Sequence, residues 1–170
     1  MNTDTQKQFL LNRILAECKG FGLDVNTENS DTNKPWGAYL RFSGQSKQQF
    51  LKTYWSDISL DPNLHESNFE PKILLVSPGS QLSLQYHARR QEKWRVLAGP
   101  AKIILGPDGT SLREAIYNTG DVIEIPQGYW HRLAGTNNWA IIAEIWEHTV
   151  PGNPSNEEDI VRVNDDYSRS

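Results

Sequence analysis

Between residues 72 and 146 the chain is cut into short apolar runs, none long or periodic enough for a helix. The runs are KILLV (72–76), QLSLQY (81–86), KWRVLA (93–98), AKIIL (101–105), LREAIY (112–117), DVIEI (121–125) and WAIIAEIW (139–146). Turn signals separate them: Pro78-Gly79, Gly99-Pro100, Gly106-Pro107-Asp108-Gly109, Thr119-Gly120 and Pro126-Gln127-Gly128. Strands at about 8–12-residue spacing with such turns between them predict an antiparallel sandwich or barrel. A parallel sheet would need helices alternating with the strands, and no such helical runs occur here.

The upstream part has a different texture. Leu10, Leu11, Ile14, Leu15 and Cys18 share one face of a 3.6-residue period, which predicts an amphipathic helix over 6–19 lying on the outside of the core. Residues 23–34 are polar and aperiodic and read as a linker. WGAYLRF (36–42) alternates as a strand does. Ser46 and Gln49 fit a capping box, and Phe50, Leu51, Tyr54 and Trp55 follow at helical spacing, so a short helix is predicted over 47–56. Residues 57–68 read as loop. The division is thus 1–33, helix and linker, and 34–170, one β domain. The charged tail from Ser155 onward, taken alone, reads as a frayed end.

Composition narrows the chemistry. A single cysteine, Cys18, excludes an internal disulfide and a cysteine-rich metal cluster. Its place on the apolar helix face marks it as a packed thiol. Seventeen Lys and Arg against 21 Asp and Glu give a net charge of −4, with no basic block, which argues against nucleic acid and against a polybasic membrane anchor. No apolar run nears the roughly 20 residues of a membrane helix, and the start lacks the basic-then-apolar order of a signal peptide. The expectation is a soluble cytoplasmic protein with neither nucleic acid nor membrane as partner. There is no Gly-x-Ser-x-Gly elbow and no glycine-rich phosphate loop.

Two segments place polar side chains inside otherwise apolar strands. In the first, Gln85 and His87 are two residues apart and so share a strand face. Glu92 follows a short turn and would face the same interior if the two strands pair. In the second, His131 follows Pro126-Gln127-Gly128 and could enter from a third strand. One amide oxygen, two imidazoles and one carboxylate form an N/O ligand set suited to zinc, manganese, cobalt, nickel or iron(II). Glu144 lies between Ile142 and Trp146 in a strongly apolar strand, where an unpaired carboxylate is costly. It is therefore paired or functional, and it is a candidate general base.

The spacings Gly79-x5-Gln85-x-His87-x4-Glu92-x6-Gly99 and Gly120-x5-Pro126-x-Gly128-x2-His131 resemble the two cupin motifs, with Gln in place of the usual first His. More narrowly, KPWGAY (34–39), VSPGSQLSLQYH (76–87), EKWRVLAG (92–99), IPQGYWHRL (125–133) and the terminal EEDIVR with DDY resemble the cupin domain of type II mannose-6-phosphate isomerases. That domain is often fused to a mannose-1-phosphate guanylyltransferase. The resemblance runs over about 34–169, apart from an insertion-like stretch near 43–68.

The resemblance implies an all-β, cupin-type antiparallel barrel, a jelly roll, here with an N-terminal helix and a short inserted helix. It implies one divalent metal, zinc first, held by Gln85, His87, Glu92 and His131. It also implies interconversion of mannose 6-phosphate and fructose 6-phosphate through an enediol. Arg132, directly after the ligand His131, would orient substrate or stabilise the enediolate, unless it faces outward. Lys72 stands at the family's lysine position and on the same strand parity as Leu74 and Val76; it would bind phosphate or sit at a solvated edge. Asp159 and Arg162 match the terminal motif and would close the mouth or tie down the tail. Cupins commonly pair, which implies a homodimer. The chain departs from the family pattern at Arg89 (usually His), Gly135 (usually Asn) and Trp146 (usually Gln). Arg89 would strengthen phosphate binding or block it, and Trp146 would narrow the cavity. Two rival functions remain at this level. One is a non-catalytic, metal-containing cupin that binds a sugar phosphate or nucleotide sugar; the other is a non-haem iron oxygenase, disfavoured by Gln85.

Overall fold

The computed structural model describes residues 3–61 and 64–167. Helix α1 (Thr3–Gly20) precedes β1 (Val25–Lys34), β2 (Gly37–Phe42) and helix α2 (Gln45–Tyr54). Then come β3 (Phe69–Val76), β4 (Leu84–His87), β5 (Arg90–Ala98), β6 (Ala101–Gly106), β7 (Arg113–Tyr117), β8 (Val122–Ile125), β9 (Trp130–Gly135) and β10 (Ala140–His148). A 3₁₀ turn (Glu157–Asp159) leads into β11 (Ile160–Asn164). The strands form two antiparallel sheets, ordered β1-β2-β3-β10-β5-β8 and β11-β4-β9-β6-β7. This is the two-sheet form of the expected jelly roll; the hydrogen-bonded ladders stay separate and do not run on as one closed barrel.

The central strands of the six-stranded sheet, β3 and β10, are buried on both faces, which is why they read as almost unbroken apolar runs. Along β10, Ile141, Ala143 and Ile145 pack with Leu11, Ile14 and Cys18 of α1 and Phe50 of α2. The alternate residues Ala140 and Ile142 pack with Trp94 and Val96 of β5 and with Ile103 and Leu133 of the opposing sheet. Two-residue periodicity thus assigns every residue of these strands either to the helix-covered face or to the space between the sheets. Leu11, Ile14 and Cys18 are buried while Leu15 is exposed, so α1 contacts the sheet through a narrower stripe than the sequence suggests. Burial pushes the Cys18 thiol up to about 11, in keeping with a packed role. Among the described residues, no helix is long and apolar enough to cross a membrane.

Three local expectations change. Residues 25–34 form an edge strand, β1, rather than a linker: backbone pairing with β2 needs no apolar side chains, and the irregular register there accommodates the polar sequence. The capping box does not close, because the Ser46 hydroxyl accepts from the Asp24 amide and Gly44 stands at the N-cap with no side-chain bond. The tail is ordered: β11 pairs with β4, setting Ile160 opposite His87 and Arg162 opposite Gln85.

Candidate active site

Both sheets contribute to one cluster between them. Gln85 and His87 come from β4, and His131 from β9, whose Cα pairs with Gln85. Glu92 comes from β5 in the other sheet. The pairing of β4 with β5 considered above does not occur; the two strands face one another across the interior, and Glu92 reaches the cluster from there. Turn chemistry aims His131. Gly128, at φ 81, stands third in the turn Pro126–Tyr129, which the Tyr129 amide closes by donating to the Pro126 carbonyl at 3.1 Å. The Gly128 amide in turn donates to the His87 carbonyl at 2.9 Å, tying the turn to β4.

His87 Nε2 lies 3.1 Å from Glu92 Oε1 and 3.2 Å from His131 Nε2, and Glu92 Oε2 lies 3.6 Å from His131 Nε2. All three side chains are buried. A carbonyl contact fixes the His131 tautomer. His131 Nδ1 donates to the Tyr129 carbonyl at 3.0 Å, leaving a lone pair on Nε2. The Arg90 guanidinium sits 3.0 Å from His87 Nε2, and a neutral His87 with its proton on Nδ1 would accept there. Burial takes His131 down to about 4, which keeps it neutral. Burial would raise Glu92, but the Arg90 charge and the two imidazoles hold it well below the usual carboxylate range. Two imidazole nitrogens and a carboxylate converge on one point, with the Arg90 guanidinium beside two of them. Donors of a four-coordinate zinc are about 3.3–3.6 Å apart, and those of an octahedral ion about 3.0 Å, so the spacing fits a divalent metal. Gln85 adjoins the group: its Nε2 is 3.5 Å from His87 Nε2, and its Oε1 accepts from Ser83 Oγ at 2.9 Å. A half-turn of the amide exchanges these atoms, because the hydroxyl can accept as well as donate.

Beside this cluster, Lys72, Glu144 and Trp94 form one row across β3, β10 and β5. They line an inner cavity of about 100 Å³, together with Tyr39, Arg90 and Trp146. Lys72 Nζ is 4.0 Å from Glu144 Oε2, and both residues are buried. The Trp94 indole N–H is shared between Glu92 Oε2 and Glu144 Oε1, each at 3.0 Å, linking the two carboxylates. Burial, aided by the Glu92 charge, pushes Glu144 up to about 8. Burial lowers Lys72 to about 8, against the pull of Glu144.

Arg89 and Arg132 do not join them. Arg89 bonds Asn153, Pro154 and Asn156 of the tail, and its backbone amide donates to Asp159. Arg132 follows His131 on a strand and so points to the opposite face, where its Nη2 donates to Asn164. Both expected substrate cations instead pin the C-terminal segment. The cation that does reach the centre is Arg90, which is 1% exposed. It donates to Glu92 Oε1 at 2.8 Å and Ser155 Oγ at 3.1 Å, and its guanidinium lies 3.3 Å from the Trp146 ring centre. Parity could have found it, since Arg90, Glu92, Trp94 and Val96 are the buried positions of β5.

A family model described as mannose-6-phosphate isomerase, C-terminal, matches residues 45–165. The alginate biosynthesis protein AlgA of Pseudomonas aeruginosa is 38% identical over 157 residues, covering 92% of this chain and 27% of the relative. The xanthan biosynthesis protein XanB of Xanthomonas campestris pv. campestris is 30% identical with the same coverage, and a mannose-1-phosphate guanylyltransferase of Escherichia coli is 28% identical. The chain spans about a quarter of the length of these relatives. Among solved structures, Bacillus subtilis oxalate decarboxylase superposes with a TM-score of 0.56 at 15% identity, covering 80% of this chain and 30% of that one. That likeness establishes the cupin fold and no more. The B. subtilis enzyme has Mn(II) centres.

Proposed function

Because the chain belongs to the mannose-6-phosphate isomerase C-terminal family, we propose that it interconverts mannose 6-phosphate and fructose 6-phosphate, with Glu144 moving the proton. The observation that supports this most strongly is the row Lys72, Glu144 and Trp94 lining one cavity, with the Trp94 indole N–H bonded both to Glu144 and to Glu92 of the adjoining His87, Glu92 and His131 cluster. Aldose–ketose isomerisation takes a proton from C2 and returns it to C1, or the reverse. One carboxylate can do both if it stays beside both carbons. Glu144 Oε2 has no hydrogen-bond partner and so is the atom free to hold that proton, while Trp94 fixes Oε1. A base works best with a pKa near the working pH, and burial brings Glu144 close to that range. Lys72 stands beside Glu144 as its neighbouring positive charge. His87, Glu92 and His131, with Gln85 adjoining, would hold one divalent ion, which would supply Lewis acidity toward the substrate oxygens. Zinc leads on the donor set, with manganese, cobalt, nickel and iron(II) as rivals. The xanthan and alginate relatives are consistent with a place in polysaccharide precursor supply.

A coupled assay between the two hexose 6-phosphates, with zinc, manganese or cobalt added, tests the reading. Glu144→Gln is expected to lower kcat by about 10²-fold or more while metal content and melting temperature hold. A fully metallated protein without turnover ends the isomerase reading and leaves a sugar-phosphate binding module. Full activity in Glu144→Gln removes Glu144 as the base.

A further inference from the structure

We propose that Arg41, Lys72 and Arg162 form a binding site for the phosphoryl group of a phosphate monoester, and that Glu157 closes this site by occupying the phosphoryl position itself. This rests on reading the inner cavity as a sugar-phosphate site, but its test does not depend on turnover. Glu157 arrives on the 3₁₀ turn of the C-terminal segment. Its carboxylate pairs with Arg41 Nη2, lies 3.7 Å from Lys72 Nζ and lies 3.9 Å from Arg162 Nη2. Three cations from β2, β3 and β11 thus surround one carboxylate, and Glu144 stands on the far side of Lys72. A phosphate monoester brings close to two charges and three acceptor oxygens.

Exposure shows which partner is the wall and which the plug. The side chains of Lys72 and Arg41 are 8% and 19% exposed, whereas that of Glu157 is 59% exposed. A carboxylate that open to water can be reached by a competing anion, while the cations behind it cannot move away. The turn carrying it has its own anchors: Asp159 accepts from the Ala88 and Arg89 amides, and Ser155 donates to Asp159. Glu157 can therefore leave the cations without unpinning the tail.

The cavities point the same way. The inner cavity of about 100 Å³ is small against the roughly 300–1,000 Å³ usual for ligand sites. A second groove of about 320 Å³, reached past Asn26, Asn29 and Arg41, lies against it. Glu157 and Trp146 line both. With Glu157 displaced, the two spaces join, the phosphoryl group rests on the cations, and the sugar carbons reach toward Glu144.

Calorimetric titration of the full chain with inorganic phosphate, mannose 6-phosphate and unphosphorylated mannose tests this. Glu157→Gln is expected to bind both phosphates roughly tenfold tighter, since the competent state no longer competes with the plug. Arg162→Gln is expected to weaken both by a similar factor, and mannose binding should not differ among the variants. Melting curves confirm that each variant is folded; Glu157→Ala serves as the second variant if the first is not. Phosphate binding that is unchanged or weaker without Glu157, or undiminished without Arg162, overturns the proposal. Tighter phosphate binding in a protein that never turns over keeps the anion site and discards the isomerase. Turnover with no response to Glu157 does the reverse.

Discussion

At Gly135 even a methyl group has no room. A Cβ there would stand 2.2 Å from the Ser77 carbonyl oxygen, a backbone atom that cannot step aside. Gly135→Ala should cost about 1–3 kcal/mol through overpacking, read as a fall in melting temperature; a variant that melts with the parent would show that β9 and the Ser77 segment can part freely. Arg90 poses the opposite case, a charge that cannot be removed. Arg90→Met leaves the Glu92 carboxylate buried with its main counter-charge gone, and should destabilise by about 3–5 kcal/mol in metal-free protein. Added zinc or manganese should restore part of that loss by supplying the missing charge, which paired melting curves would reveal. At this scale the sequence was readable wherever strand parity was applied. Parity with Leu74 and Ile142 turned Lys72 and Glu144 inward, and both are there. Of the two orientations open to Arg132, strand parity with His131 selects the outward one. Arg90 stands out less in the sequence, because arginine is so seldom fully buried.

Among the elements, the C-terminal segment was the hardest to read and is among the most consequential. SNEEDIVRVNDD has the composition of a frayed end, because its order comes from distant partners. Asp159 accepts from the Ala88 and Arg89 amides and from Ser155, while Arg89 grips Asn153 and Asn156. β1 was missed for the same reason: an edge strand is made by its partner's backbone, which no local pattern announces. The central strands were legible because burial on one or both faces writes itself as alternation or as unbroken hydrophobicity. Asp159 gives a pH test of the tail. Burial would raise its carboxyl, but Ser155 and the two amides outweigh this and hold it below the usual range. Such a group stabilises the fold above its unfolded-chain value of about 3.9, and that contribution is lost as the pH falls below it. Asp159→Ala should therefore lower the melting temperature at pH 7, where the charged acceptor is worth about 1.5–3 kcal/mol, and the gap to the parent should close toward pH 3. A gap independent of pH would mean that the lost packing, not the charge, is what matters. Faster proteolysis after residue 150 at pH 7 would mark the loosened segment.

For the molecule as a whole, the decisive fact is that the candidate metal ligands come from both sheets. His87 and His131 belong to the five-stranded sheet and Glu92 to the six-stranded one, so the set exists only when the sheets face one another. The sequence supplied the ligand types and their parity but not this division, since strands adjacent in the chain, β4 and β5, prove to lie in different sheets. The arrangement makes any bound ion a clamp across the interior. A ligand that binds the folded chain and not the unfolded one adds stability that grows with its concentration, about 2.7 kcal/mol at a hundred times its Kd. Zinc, manganese or cobalt should thus raise the melting temperature, and a chelator should reverse the rise. His87→Ala and His131→Ala should abolish most of the rise, because each removes a donor from the same sheet while leaving Glu92 behind. Gln85→Ala should reduce it less, since the amide stands at the margin of the group. Magnesium, which prefers oxygen donors, should stabilise least. If the metals raise the melting temperature equally in all three variants, the ion binds elsewhere on the surface, and the convergence of lone pairs between the sheets is satisfied by Arg90 alone.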